Sequence, residues 1–223
     1  MKNENNNQTR ILNEQKQHWK KTYCEEPLLF GKKPSYSAIK AAKLFQKEKA
    51  AKILELGGGH GRDTIFFGTR RFHVDVLDYC DNSVQTIKKI ASQLHISQYI
   101  TPSCHDVREK LPFPDETFDG CYSHMLFCMA LSSNQLELIF QEIRRVLKPK
   151  GLVVYTVRHK GDAHYQKGIR RGVDMYETEG FIVHFFDKEK IEFLSKGFNI
   201  VGFEEFEEGE LPRKLFMVTL RKS

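Results

Sequence analysis

Lys52-Ile-Leu-Glu-Leu-Gly-Gly-Gly-His-Gly-Arg-Asp63 is the stretch on which the fold turns. The apolar run Ile53–Leu56 is too short for a helix and has the length of a buried strand. It runs into four glycines, and Arg62–Phe67 then opens a helix. Gly57, Gly59 and Gly61 alternate, so the backbone can turn sharply and approach a ligand without Cβ clashes. Spacing excludes two phosphate-binding loops. A dinucleotide fingerprint, G-x-G-x-x-G, would need glycine at Arg62 or at Thr64, depending on the starting glycine. A P-loop would need Gly-Lys-Ser/Thr, and the chain has no such triplet.

Outward from this turn, strand and helix patterns alternate. His73–Leu77 reads as a second strand. Val84, Ile87, Ala91 and Leu94 form a helical stripe behind an Asp81-Asn82-Ser83 cap. A third strand is expected near Tyr99–Ser103 and a fourth over residues 118–123. Leu136, Ile139, Phe140, Ile143, Val146 and Leu147 predict a helix over 134–148, stopped by Pro149 and Gly151. Leu152–Val157 is a buried fifth strand. A last helix, capped by Asp187 and stopped by Gly197, precedes two alternating runs, Phe198–Phe206 and Leu215–Leu220, joined by a turn with Gly209 and Pro212. Strands alternating with helices imply a parallel sheet covered on both faces. Two final strands with no crossover helix must be antiparallel. The expected fold is α/β: a doubly wound, seven-stranded, mostly parallel sheet with a C-terminal antiparallel hairpin and N-terminal capping helices.

The chain has 223 residues, 35 Lys+Arg against 29 Asp+Glu, and a formal charge of +6. Residues 1–50 hold 11 basic and 5 acidic side chains, and residues 51–223 hold 24 of each. The body is therefore neutral, which argues against a broad nucleic-acid-binding surface. No apolar run is long enough to cross a bilayer, and the first residues carry no apolar signal core. Five cysteines without a CxxC pair point to reduced thiols and a cytoplasmic setting. Residues 2–8 are Asn-rich and expected to be disordered. Two helices should follow, the first with Ile11, Leu12, Trp19 and Tyr23 on one side. The second is capped by Ser35 or Ser37 and buries Ala38, Ala41, Ala42 and Phe45. Residues 1–50 are thus a tail and cap, and residues 51–223 the main domain.

The run Glu55-Leu-Gly-Gly-Gly-His-Gly61 resembles E/D-x-G-x-G-x-G, the first motif of class I S-adenosylmethionine-dependent methyltransferases. Further elements follow in order. Asp78 ends the second strand, Asp106-Val107 follows the third, and LPFPDETFD (111–119) is similar to the LPF-x-D-x-x-FD run of the type 11 branch. VLKPKG (146–151) then leads into strand five, as in that branch. The resemblance covers about Leu54 to Val157. It implies S-adenosylmethionine as cofactor and S-adenosylhomocysteine as product. Cofactor contacts are implied at Glu55, Gly57, Gly58, Gly59 and Gly61, with Asp78 at the ribose hydroxyls. Asp106 is placed at the adenine amino group, with Tyr79, Val107 and Ser123 beside them.

Methyl transfer from a sulfonium is an in-line displacement that needs alignment and water exclusion, and a base only when the acceptor loses a proton. The acceptor should sit beyond strands four and five. Candidate catalytic groups are His124, His159 and His164, and candidate acceptor contacts are Trp19, Tyr23, Arg158 and Tyr165. Residues 158–180 read as a lid, with FIVHFF (181–186) docking it to the core and His184 a core histidine. Cys121-x-x-His124 and His159-x4-His164 lack partner pairs at ligand spacing, so no metal is expected. The favoured partner is a small-molecule acceptor, with no membrane and with the protein a monomer or homodimer. RNA or protein as acceptor, and a non-catalytic cofactor-binding scaffold, stay open. Against nucleobase chemistry, residues 122–125 read Tyr-Ser-His-Met where base-N6 enzymes carry N/D-P-P-Y/F, and no Pro-Cys pair occurs.

Overall fold

The structure is a computed structural model; it describes residues 2–26, 29, 31–209 and 213–223, with the side chains of 2–9 and 12 left aside. Leu12 on the predicted stripe and Pro212 in the predicted turn therefore lie outside the described side chains and residues.

The strands are β1 (Lys52–Leu56), β2 (His73–Asp78), β3 (Ile100–Cys104), β4 (Phe118–His124) and β5 (Leu147–Arg158), followed by β9 (Phe198–Glu208) and β10 (Arg213–Lys222). They form one seven-stranded sheet in the order β3-β2-β1-β4-β5-β10-β9. The pairs among β1 to β5 are parallel, while β10 runs antiparallel to both β5 and β9. Chain order reverses between β1 and β4, which leaves a crevice at their C-terminal ends, the place where open α/β sheets bind ligands.

Period-two alternation puts neighbours in β1 on opposite faces. Ile53 joins Val76, Phe45 and Phe67 in one buried cluster, and Leu54 and Leu56 join Ile139, Ile143 and Val153 in the other. On the first face lie helices α2 (Tyr36–Lys47), α3 (Arg62–Thr69) and α4 (Asp81–Gln93), with the stripe of α5 (Ser133–Val146) on the second. Ser35 caps α2 through the Ala38 N–H, and Ser132 and Gln135 form a reciprocal capping box on α5.

Several expectations need correction. Helix α1 (Lys2–Glu25) runs through the Asn-rich segment expected to be a disordered tail. Helix α2 covers the back of the sheet through Ala38, Ala41, Ala42 and Phe45, so α1 alone lies over the pocket. The helix predicted over 134–148 stops at Val146, since Leu147 already pairs with Phe118 as β5 begins. Helix α4 starts behind Cys80, without a side-chain cap, and Asp81 instead pairs with Lys20 of α1 at 2.6 Å.

The largest difference is the lid. Residues 158–180 are not irregular: β6 (Ile169–Gly172), β7 (Met175–Thr178) and β8 (Phe181–His184) build a separate antiparallel sheet. These strands have four residues each and carry charge, as in IRRG and MYET, so no alternation marks them. Phe185 and Phe186 are buried behind β8, ahead of α6 (Lys188–Leu194), which Asp187 caps.

Candidate functional site

The glycine loop is shaped from below as much as for a ligand. Gly57, Gly59 and Gly61 have φ of 76°, 52° and 85°, in the left-handed region glycine tolerates best. Gly58, which the alternating pattern passes over, is the most confined by packing, since a Cβ there would stand 2.4 Å from Val76 Cγ2. The Gly57 N–H donates to the Leu77 carbonyl at 2.8 Å, tying the loop to β2. Ser123 Oγ donates to the Leu56 carbonyl at 3.0 Å from a fully buried position, so it supports the loop from behind and does not line the cavity.

Asp78 sits at the centre of the crevice. Its Oδ2 accepts the Gly59 N–H and its Oδ1 the Cys80 N–H, both at 2.8 Å. Burial raises its carboxyl above the ordinary range against the pull of these two donors. Two connected cavities meet here. The first, about 120 Å3, lies over the glycine loop with Glu55, His60 and Arg62 on one side and Tyr23 and Trp19 of α1 above. The second, about 60 Å3, continues past Asp78 and Tyr79 to Asp106, Val107 and Leu131. Asp106 is held by Arg108 through Nε–Oδ1 at 2.9 Å and Nη2–Oδ2 at 2.7 Å. Burial pushes its carboxyl up, and Arg108 more than offsets this to leave it below the usual range.

Glu55 is 3 % exposed, and its Oε2 has no hydrogen-bond partner. Burial, with the neighbouring Asp63 charge, pushes its carboxyl up to about 8. A buried acceptor of this kind is costly unless a ligand supplies a donor or a positive charge.

A third cavity, about 340 Å3, opens beside the first and shares Trp19, Met125 and Met129 with it. The lid sheet closes its far side with Tyr176, Phe181 and Val183. Helix α1 is tied to that sheet by Gln15, whose Nε2 donates to the Gly180 carbonyl at 2.8 Å and whose Oε1 accepts the Ile182 N–H at 3.1 Å. Trp19 also packs on Phe181 with ring centroids 4.8 Å apart. Met125, at the end of β4, has φ 59°, and its N–H reaches both the carbonyl and the hydroxyl of Thr156 at 3.1 and 3.0 Å. Such strain concentrates at functional sites.

The candidate histidines separate. His124 lines the first cavity, but both ring nitrogens are engaged: Nδ1 by Ser37 Oγ (3.0 Å) and Thr156 Oγ1 (2.9 Å), and Nε2 by Glu208 at 3.1 Å. His159 stands outside all three cavities, stacked on Phe216 with centroids 4.4 Å apart. His164 lines the third cavity, and its ring makes no hydrogen bond among the described residues. Arg158 lines the same cavity at 6 % exposure, paired with Asp162 in a bidentate fork through Nε and Nη2. Tyr165 is behind the wall, its hydroxyl donating to Asp174 at 2.9 Å, and Tyr176 takes the place expected of it. His184 is a core residue, as expected: Nδ1 meets the Leu131 carbonyl at 2.8 Å, and burial with the adjacent Lys190 lowers it to about 4.

Pattern reading missed a buried network beneath the first cavity. Tyr122 OH lies 2.9 Å from Ser35 Oγ and 2.8 Å from Ser37 Oγ, and donates to Asp63 Oδ2 at 2.9 Å. Asp63 also accepts the Ser35 N–H at 2.7 Å. The polar Ser-x-Ser at the start of an otherwise apolar helix was the available signal, and it read as a cap.

The strand order and the crevice at the sheet's switch point are those of the class I methyltransferase fold. Residues 53–151, less than half of the chain, match the methyltransferase domain family model. Among curated relatives, a glycine/sarcosine/dimethylglycine N-methyltransferase of Actinopolyspora halophila is 31% identical over 106 residues, 47% of this chain and 18% of the relative. A malonyl-[acyl-carrier protein] O-methyltransferase of Herminiimonas arsenicoxydans is 30% identical over 127 residues, 57% of this chain and 45% of the relative. The chain thus spans less than half the length of either. In fold it is similar to a Burkholderia thailandensis 1,6-didemethyltoxoflavin-N1-methyltransferase solved with S-adenosylhomocysteine and 1,6-didemethyltoxoflavin (TM-score 0.71, 15% identity, 96% of this chain and 88% of that one). A Methanosarcina mazei methyltransferase has TM-score 0.68 at 20% identity, covering 77% and 92%.

S-adenosylmethionine is the cofactor of this class, and the crevice fits it. The orphaned Glu55 carboxyl suits a cationic group, Asp78 suits paired hydroxyls, and Asp106 with Val107 suits a flat, amino-bearing ring. Among the described residues no helix is long and apolar enough to cross a membrane.

Proposed function

We propose that the protein methylates a small molecule held in the cavity between α1 and the lid sheet. The observation that carries this reading is the arrangement of the cavities. A 340 Å3 space, of the size that takes a small organic ligand, meets the cofactor crevice across Trp19, Met125 and Met129, the described residues that line both.

Bound in the crevice, the cofactor supplies a methyl group already activated by a sulfonium. What the chain must add is alignment and dryness. Trp19, Met125 and Met129 form the apolar boundary at which an acceptor atom meets that methyl group. Gln15 holds α1 against β8 and keeps the boundary closed to water. Where the acceptor carries a proton, His164 takes it, since its ring is free and faces the acceptor cavity. His124 is a positioning residue that joins the end of β4 to α2, β5 and β9. Asp78 positions the loop and reads the ribose, and Glu55 meets the cationic end of the cofactor.

The test is methyl transfer from radiolabelled S-adenosylmethionine into a metabolite extract, with and without ribonuclease and protease treatment. Label in small molecules that survives both treatments supports the reading. Label that appears only in nuclease- or protease-sensitive material overturns it.

A further inference from the structure

The chemistry of the third cavity narrows the acceptor. Four rings, Trp19, Tyr176, Phe181 and Phe185, stand on its walls, Trp19 and Phe181 being 4.8 Å apart and Tyr176 and Phe185 6.3 Å apart. Ring faces of this kind take up flat apolar groups and attract cations.

The charges at the same cavity are unbalanced. Of the two guanidinium groups that line it, Arg158 is paired with Asp162 through Nε and Nη2. That carboxylate also takes the backbone N–H groups of His164 and Lys214 at 2.9 Å each, so the pair is closed on itself. Arg213 remains. Against it stand Glu25, Glu26 and Glu179. Lys21 reaches Glu25 at 3.8 Å, while Glu26 and Glu179 have no ion-pair partner among the described residues. With Glu25 matched by Lys21, two carboxylates stand against one guanidinium, so this mouth is acidic, and carboxylates facing one space repel unless a cation comes between them.

We propose, on the basis of the methyltransferase reading above, that the acceptor is a flat or aromatic molecule bearing a basic nitrogen. Its ring lies among Trp19, Tyr176, Phe181 and Phe185, and its ammonium is drawn in by Glu26 and Glu179. The free His164 ring takes one proton from the nitrogen. The lone pair so freed forms the N–C bond as the S–C bond of the donor breaks, and the sulfonium leaves as a neutral thioether. Rings and carboxylates each favour a cation, and they sit on different elements, α1 with its following turn and the lid sheet.

The experiment uses the full chain saturated with S-adenosylhomocysteine and three probes that share one ring system: tryptamine, tryptophol and indole-3-acetate. Binding is followed by calorimetry. The expected order is tryptamine tighter than tryptophol by about tenfold, with indole-3-acetate weakest. In the double variant Glu26→Gln/Glu179→Gln, tryptamine falls to the affinity of tryptophol while S-adenosylhomocysteine binding is unchanged. Indole-3-acetate binding best would make Arg213 the recognition group and overturn the proposal, as would equal affinities or no binding of any probe. Failure of S-adenosylhomocysteine itself to bind, seen before any probe is added, instead overturns the methyltransferase reading.

Discussion

Replacing Asp78 by Ala should harm the protein before any cofactor is present. Its two carboxylate oxygens accept the N–H groups of Gly59 and Cys80 at 2.8 Å, and the side chain is 6 % exposed. Removing it orphans two donors. A buried unpaired donor costs about 1–3 kcal/mol. Gly59 borders the cavity, where water can partly replace the lost acceptor, so the sum should lie near 2–4 kcal/mol. For a chain of this size 1 kcal/mol shifts Tm by about 2–4 °C, so the ligand-free variant should melt roughly 5–15 °C lower. Burial works against the charged carboxylate in the parent, which places the gain from removing the charge against part of this loss. Scanning calorimetry without ligand gives the first readout, and titration with S-adenosylhomocysteine the second. Affinity should fall by a further tenfold or more from the lost ribose acceptor. Asp78→Asn keeps one acceptor and should fall between the two proteins in both readouts. A Tm within about 2 °C of the parent would show that the hydrogen bonds to the loop carry no stability, and the reasoning would fail.

Glu55 has its folded carboxyl raised to about 8, against about 4.3 in the unfolded chain. The folded state holds this proton more tightly, so the associated stability is full below about pH 4 and is lost as pH rises toward 8. Glu55→Gln should flatten the denaturant-measured stability profile between pH 5 and 8, and an unchanged slope would refute the assignment. Asp162→Ala leaves the buried Arg158 charge and two backbone donors without a partner. It should destabilise by about 3–5 kcal/mol, measured by urea unfolding, while Asp162→Asn should cost less. Gln15→Ala removes both bonds between α1 and β8. Amide exchange in α1 should speed up by about five- to thirtyfold, with the exchange of β1 unchanged. His164→Gln should lower turnover by about a hundredfold with a protonated acceptor and leave S-adenosylhomocysteine affinity as it is.

The cofactor half of the site was legible because its determinants are consecutive in the chain. Residues 55–63 hold a strand end, a turn and a helix start, and the positive φ of Gly57, Gly59 and Gly61 needs glycine wherever the loop sits. Asp78 and Asp106 were expected there as acids at or just after strand ends, and the structure puts both on cavity walls. Ser123 was placed by its position at the end of β4, yet which side of the loop it occupied depends on the sheet register, and the register puts it behind. The confinement of Gly58 was invisible for the same reason, since the atom that forbids a side chain belongs to Val76 on the next strand.

The third cavity was hardly legible. Its wall is assembled from α1, the end of β4, Arg158 and the lid sheet, segments spread over more than a hundred residues of the chain. Short charged strands such as IRRG and MYET carry no period, so the sheet inside the lid was not read. The three histidines looked alike in the chain and differ only in neighbours: His124 is enclosed by Ser37, Thr156 and Glu208, His159 lies on Phe216, and only His164 keeps a free ring at a cavity.

By itself, then, the sequence determined the α/β order of elements, the glycine turn and the acids that flank it, because each rests on local backbone geometry and short-range periodicity. Tertiary structure alone decided which helix roofs the crevice, where the third cavity lies and that His18 and His164, not His124 or His159, line it. Those are properties of side chains brought together by long-range pairing, and no spacing along the chain encodes them.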